Sequence, residues 1–314
     1  MNAAVSRSSY ACVLVVSLLA WALALHHLKA LADTASTHAV ADAHLHYKWN
    51  QAEVTSPERA VQALRENGVV LAVVTGTPAG RALELHALAP DLVVPIYGIY
   101  RGGQDWYGWQ GRKELIEEVR AALASGPYRG IGEVHLIGGF ALRWQRSDVL
   151  KGLLAVAAEF DVPLLIHTEF SRAEPTLSIC EANSKNRLVL AHAGAALPPG
   201  EVERVLRACP NVWMDLSARD PWRFVSFPIN DEEGRLLPAW EALVLRWPDR
   251  FLIGSDAVWP VEQLDGWDQA DTGWERIGDF LGFHRRWASF LPRDVRRKVL
   301  LKNAEQVFRK PLDE

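Results

Sequence analysis

The chain has 314 residues, of which 49% are hydrophobic, and its formal net charge at pH 7 is −4. This length allows either two small domains or one large α/β barrel. Acidic residues are distributed along the whole sequence, so we do not expect a general nucleic-acid-binding surface, which needs a concentrated basic stripe.

The first 32 residues have the pattern of an export signal. Arg7 precedes an apolar run over residues 11–25, and Ala30-Leu31-Ala32 has the small-x-small form of a cleavage site. The run is short for a membrane span, so an uncleaved anchor is the less favoured alternative, and no stable span is expected after signal removal. We therefore expect a periplasmic or secreted protein with one mature domain, residues 33–314. Export would leave Cys180 and Cys209 as its cysteines, a pair that an oxidising compartment allows but does not require.

Short apolar runs typical of buried parallel strands recur along the rest of the chain. They begin near Ala39, Val69, Leu92, Gly130, Val162, Leu188, Val212 and Phe251. Helical patterns separate them, and no Ser/Pro-rich linker interrupts the series. Eight strands that are each followed by a helix, with right-handed crossovers, predict an α/β fold, a single (β/α)8 TIM barrel.

The helices have recognisable ends. Ser56-Pro57-Glu58 supplies an N-cap and a first-turn proline, and Asn67-Gly68 stops the pattern. Helical spacing of apolar residues also predicts helices from Arg112 to Leu123 and from Asp148 to Phe160.

Residues that bind metals stand at the ends of five of the predicted strands. They are His44 and His46, Glu133, His167, His192 and Asp256. Alternation along a strand places Asp42, His44 and His46 on one face, where two imidazoles can close on a single ion. A His-x-His pair alone is equally typical of surface histidines, but the further ligand types at matching strand ends favour a metal centre.

By these residues the chain resembles the amidohydrolase superfamily, in particular its amidohydrolase-related and TatD-like branches. The similarity includes Asp-Ala-His-Leu-His over residues 42–46, Gly-Ile-Gly-Glu over 130–133, the single histidines of strands five and six, and Gly-Ser-Asp over 254–256. Residues 301–308 are similar to the closing helix of that family. The match is specific to the superfamily and does not identify a substrate.

The resemblance implies that His44, His46 and Asp256 hold one ion, that His167 and His192 hold a second, and that Glu133 bridges them. Many relatives bridge with a carboxylated lysine, but no lysine stands at the end of strand four or five here. Without a bridging Glu133 the centre would be mononuclear, with His192 beside the bound water. Zinc suits the nitrogen-rich ligand set, and manganese or iron would be tolerated.

Such a centre lowers the pKa of a bound water from about 15.7 towards about 7 and polarises the group under attack. Asp256 is placed to accept the proton of the water and return it to the leaving group, with His192 as its catalytic partner. We expect Asp42 to orient a histidine rather than to bind metal itself.

Several residues near the strand ends are candidates for substrate binding. Arg101 and Arg219 are placed to fix a carboxylate or phosphate, and His135 either contacts the substrate or packs. Aromatic residues follow the strands, and they suggest an apolar or ring-bearing small molecule: Tyr47, Trp49, Trp106, Tyr107, Trp109, Trp144, Trp222, Trp259, Trp267 and Trp274. The long connections Arg219–Leu237 and Val258–Pro292 are typical of lids. The remaining histidines after the export signal, His38, His86 and His284, are expected at the surface.

The function that these patterns favour is an exported, metal-dependent hydrolase that cleaves an ester, amide, lactone or phosphoester bond in a small molecule. One alternative keeps the fold but holds a single ion and decarboxylates an aromatic acid. A second is a TatD-like nuclease, which would need a basic track for the phosphate backbone. A third, from another class, is a non-catalytic metal-binding barrel. The oligomeric state is left open.

Overall fold

The computed structural model describes residues 39–136, 144–223, 228–260 and 269–308. The predicted export signal, His38 and Trp267 lie outside these ranges. Within them, no helix is both long and apolar enough to cross a bilayer.

Eight parallel strands form the centre of the fold, as the sequence predicts. Their bounds are β1 Val40–Lys48, β2 Val69–Thr77, β3 Val93–Ile96, β4 Ile131–Leu136, β5 Leu164–Thr168, β6 Leu188–Leu190, β7 Val212–Asp215 and β8 Phe251–Leu252. Continuous pairing joins β1 to β3 in one group and β4 to β8 in another. Within each group every strand pairs with the next in the chain, so the order in space follows the order in sequence.

Backbone hydrogen bonds join the two groups at both seams. Between β3 and β4, the amide of Tyr97 donates to Gly130 O at 2.9 Å. Between β8 and β1, Ala43 donates to Ile253 O at 2.9 Å and Asp256 donates to His44 O at 2.8 Å. The last seam is tight, because a Cβ atom at Gly254 would lie 2.6 Å from the Cβ atom of His44. These contacts close the sheet into the expected barrel.

The helices follow the strands in the predicted alternation. They are α1 Pro57–Glu66, α2 Gly80–Leu88, α3 Asp105–Gly108, α4 Leu115–Ser125, α5 Asp148–Glu159, α6 Glu174–Ala182, α7 Pro199–Ala208, α8 Pro238–Arg246, α9 Ile277–Ala288, α10 Arg293–Arg297 and α11 Asn303–Phe308. The Ser56 side chain caps α1 by accepting a bond from the Arg59 amide, as its sequence predicts. The predicted lid Val258–Pro292 contains the helix α9.

The closing helix lies at the amino-terminal end of the barrel. Val307 and Phe308 pack with Ala41 and Leu71 in a buried cluster inside the sheet, and Asn303 Nδ2 donates to Phe251 O at 2.8 Å. The opposite, carboxyl-terminal end therefore remains available for a site.

Cys180 of α6 and Cys209, which follows α7, form a disulfide in the structure. Their Cα atoms are 5.9 Å apart, within the range that a disulfide spans. The sequence alone left this pairing open.

Candidate metal centre

The predicted ligands come together at the carboxyl ends of the strands. Three overlapping groups have ligand atoms within 4.8 Å of one another: His44, His46 and Asp256; His44, Glu133 and His192; and Glu133, His135 and His167. All of these side chains are buried except that of His46, which is 20% exposed. The six predicted ligands all belong to these groups, and His135 joins them, but His167 and His192, the predicted pair of the second ion, fall in different groups that share Glu133.

A bulge in β1 directs the two histidines of the first strand inward. Ala41 and Ala43 pack inside the barrel, whereas Leu45 and Tyr47 pack in the larger cluster of the helical layer. The pairing with β2 shifts register between Asp42 and Leu45, which reverses the alternation of side chains. The prediction that Asp42 shares a face with the histidines by simple alternation is therefore wrong.

The first group has the spacing of a metal site. His44 Nε2 and His46 Nε2 lie 3.0 Å apart, and each lies 3.8 Å from Asp256 Oδ1. Glu133 Oε2 lies 3.2 Å from His46 Nε2 and 3.5 Å from His44 Nε2. Ligand atoms about 2.0–2.1 Å from a tetrahedral zinc ion are separated by about 3.3 Å. Both the donor types and their spacing fit a divalent ion.

Asp215 fixes the orientation of His44. Its Oδ2 atom lies 2.7 Å from His44 Nδ1, and an ionised carboxylate can only accept, so Nδ1 carries a proton and Nε2 is the nitrogen directed at the cluster. We expected this role for Asp42, whose Oδ1 instead accepts from the backbone amides of His44 and Ser255. Asp215 is the last residue of β7, so it stands at the carboxyl end of a strand, as the predicted ligands do.

His192 is oriented by the loop after β7. Its Nδ1 atom lies 3.0 Å from Ser217 O, and because a carbonyl only accepts, Nε2 carries the lone pair. That atom lies 3.8 Å from Asp256 Oδ2 and 3.8 Å from Glu133 Oε1. Burial lowers the pKa of His192 to about 4, which keeps the imidazole neutral at pH 7.

Glu133 lies at the centre of the cluster. Its carboxylate oxygens are within 4 Å of five imidazoles, those of His44, His46, His135, His167 and His192. Burial opposes its ionisation, but the surrounding imidazoles, His135 and His44 foremost, hold the pKa of Glu133 well below its usual range. An ionised carboxylate between two groups of nitrogen donors has the position that a bridging ligand needs.

Asp256 also stays ionised despite its burial. The neighbouring His44 and His192 outweigh the effect of burial and lower the pKa of Asp256 to about 2. Its two oxygens face different histidines, Oδ1 towards His44 and Oδ2 towards His192. A side chain placed in this way is available as a ligand, as a proton acceptor or as both.

His135 is held beside the cluster by aromatic neighbours. Its backbone amide donates to the Tyr100 hydroxyl at 3.0 Å, and that hydroxyl also lies 2.9 Å from His135 Nδ1. The Trp106 ring lies 3.8 Å from the imidazole, centroid to centroid. His135 Nε2 faces Glu133 Oε2 at 3.5 Å. The sequence analysis did not identify Tyr100. Like the predicted ligands, Tyr100 lies near the carboxyl end of a strand, in this case β3.

The other predicted substrate-binding residues, Arg101, Arg219 and Trp259, contact other groups of the protein. Arg101 is 57% exposed and pairs with Glu118 of α4 at 2.7 Å. Arg219 is fully buried, and its Nε donates to His192 O at 2.8 Å, so it supports the turn that carries His192 rather than facing a substrate. Trp259 packs under the guanidinium of Arg276, 4.1 Å from its ring centroid.

The predicted aromatic rim is partly buried. The buried members are Tyr47, Trp109, Trp144 and Trp274, while Tyr107 and Trp222 are exposed, by 73% and 47%. Two predicted rim residues contact members of the cluster, because the Trp106 ring lies against the His135 imidazole and Trp274 Nε1 donates to His46 O at 3.0 Å. His284 is another correction, since it is buried, with its Nε2 atom 3.0 Å from Gly254 O.

Comparisons with known proteins show similarity in fold. A zinc-bound amidohydrolase from Burkholderia multivorans is 18% identical, with a TM-score of 0.54 over 87% of this chain and 100% of its own. A TatD homologue from Escherichia coli K12 is also 18% identical, with a TM-score of 0.58 over 88% and 100%. A putative 2-pyrone-4,6-dicarboxylic acid hydrolase from Pseudomonas putida is 17% identical, with a TM-score of 0.54 over 86% and 97%.

These structures share the fold, and at such identity they carry no more than the fold. No curated protein matches the chain. The sequence profile of the family described as Amidohydrolase matches residues 39–310. This range includes all eight strands and every member of the cluster, so the chain belongs to the Amidohydrolase family.

Proposed function

We propose that this protein is an exported, metal-dependent hydrolase that attacks an ester, amide, lactone or phosphoester bond of a small molecule with activated water. The observation that carries the proposal is the position of Glu133, ionised and buried among five imidazoles, with Asp256 facing the same nitrogens. A barrel that served only as a scaffold would have no need for this arrangement.

His44, His46 and Asp256 would hold one ion, and His167 and His192 a second, with Glu133 between them. A bound divalent cation supplies Lewis acidity, which makes water a stronger acid and polarises the bond under attack. The zinc of the B. multivorans amidohydrolase supports zinc here, as does the histidine-rich donor set.

The protein residues then have distinct tasks. Asp256 accepts the proton of the attacking water and returns it to the leaving group, because its low pKa keeps it ionised before the reaction. His192 directs its Nε2 lone pair into the cluster, 3.8 Å from Asp256 Oδ2, where it would hold an ion beside that carboxylate. Asp215 and the Ser217 carbonyl fix the tautomers of His44 and His192, so neither ring has to turn.

The alternatives have less support. The decarboxylase hypothesis depended on Arg101 and an aromatic rim, but Arg101 pairs with Glu118, and four of the ten rim residues are buried. A nuclease would need a basic surface that follows the phosphate backbone. Arg219, a candidate phosphate contact, is instead buried and donates to His192 O.

Replacing both His44 and His46 with alanine is expected to abolish binding of the ion that they share while the barrel stays folded. Metal content is measured by elemental analysis of purified protein, and folding by circular dichroism. Wild-type protein is then screened against esters, lactones, amides and phosphoesters. His86→Ala serves as the control, since His86 of α2 lies outside the clustered groups and its Nδ1 atom is 2.7 Å from Val93 O at the start of β3. Full metal occupancy in the double variant would refute the centre.

Export is a separate part of the proposal and depends on the sequence alone. Cleavage after Ala30-Leu31-Ala32 gives a mature chain that begins near Asp33. Amino-terminal sequencing of protein from the periplasm or culture medium of the native host is expected to find this start. Protein that begins at Met1 and sediments with membranes would instead establish an uncleaved anchor.

A further inference from the structure

The backbone that carries Asp256 lies beyond the end of its strand. β8 covers only Phe251–Leu252, and Asp256 has a φ of 43°, in the left-handed region. Such a conformation is uncommon for a residue other than glycine, and it persists only where surrounding contacts determine it. The contacts around this segment are therefore part of how the carboxylate is placed.

Side chains from three other parts of the chain bond to this backbone. Asp42 Oδ1 accepts from the Ser255 amide at 2.8 Å, and His284 Nε2 lies 3.0 Å from Gly254 O. Arg223 makes two contacts, because its guanidinium donates to Ser255 O at 2.7 Å and also to Asp256 O. The Arg223 guanidinium therefore contacts the backbone of Asp256 directly.

Arg223 is itself held firmly. Its side chain is fully buried, its Nε donates to Asp220 Oδ2 at 2.8 Å, and its guanidinium lies 3.9 Å from the centroid of the Phe280 ring. The planar guanidinium can bond to a carboxylate along one edge and donate its remaining N–H groups to two carbonyls at the same time. A lysine ammonium group cannot do this.

We propose that Arg223 is a positioning residue for Asp256, because its guanidinium fixes the Ser255–Asp256 backbone so that the carboxylate faces His44, His46 and His192. The placement of the backbone does not depend on a metal ion. Its consequence for chemistry rests on the function proposed above.

The test compares Arg223→Met with Arg250→Met. Arg250 also donates to two backbone carbonyls, those of Val212 and Cys209, but it precedes β8 and lies at the opposite end of the barrel. Hydrogen exchange of the segment 253–258 is the first measurement, because the Asp256 amide is bonded to His44 O. We expect exchange there to be about 10- to 100-fold faster in Arg223→Met and unchanged in Arg250→Met.

The second measurement is metal binding, with Zn²⁺ by calorimetry and Co²⁺ by its visible absorption spectrum. In Arg223→Met we expect the Zn²⁺ dissociation constant to rise about 10- to 100-fold and the Co²⁺ spectrum to change. Arg250→Met is expected to match the wild type in both.

Wild-type exchange over 253–258 in a folded Arg223→Met protein would overturn the proposal, and so would equal acceleration in the Arg250 variant. If Arg223→Met does not fold, Arg223→Lys is measured in the same way, and wild-type exchange in that variant overturns it. If the wild-type chain binds neither metal while exchange responds to Arg223 alone, the positioning role stands and the proposed hydrolase fails.

Discussion

Replacing Asp256 with asparagine is expected to lower turnover about 10²- to 10⁴-fold while the fold is retained. The amide has nearly the same shape as the carboxylate, but it cannot accept a proton from water. In the wild type, the pKa of about 2 keeps the side chain ready to accept that proton throughout the neutral range. The measurement is kcat for the metal-loaded variant on a substrate found in the screen, together with its melting temperature.

Asp249→Asn is a suitable control for this experiment. Asp249 lies just before β8, at the other end of the barrel, where its carboxylate pairs with Lys298 on the surface. We expect this variant to keep wild-type turnover. Undiminished activity in a fully loaded Asp256→Asn protein would remove Asp256 from the proton transfer.

Replacing Glu133 with glutamine is expected to reduce the metal content from two ions per chain to about one. A neutral amide cannot neutralise two cations as a carboxylate does, and no lysine is available at the ends of β4 and β5 to take its place. His44, His46 and Asp256 are expected to retain the tighter ion because they form a nearly complete set. The measurement is the stoichiometry at saturation, by elemental analysis and calorimetry.

Glu169→Gln is the matched control. Glu169 Oε1 lies 3.4 Å from His167 Nε2, but the residue is outside the three clustered groups. We expect the control to keep both ions. If the wild type binds one ion at saturation and Glu133→Gln binds the same, Glu133 does not bridge, and the decarboxylase alternative gains support over the hydrolase.

The sequence predicted the fold well because the determinants of the fold are local. Alternating apolar runs and helix caps, such as Ser56 before Pro57, place every strand and most helices. The same runs placed the clustered histidines, since the carboxyl end of a parallel strand always faces the same side of a barrel. His167 and His192 needed no further information to be found.

What the sequence did not predict depends on contacts between distant segments. Whether Arg101 faces a substrate depends on where Glu118 of α4 lies. The role given to Asp42 belongs to Asp215 because a bulge in β1 reverses the side-chain alternation. His284 was expected at the surface, but α9 packs back on the barrel and buries it against Gly254.

The seam between β1 and β8 determines when the metal centre can first exist. The bond from the Ser255 amide to Asp42 joins positions 213 residues apart, and the ring of ligands is incomplete until that seam forms. Pairing between such distant segments forms slowly and only after most of the chain has been synthesised. Under the proposed export, a chain translocated before this step would bind its proposed ion outside the cytoplasm, so the metal supply at the destination would determine which element is bound.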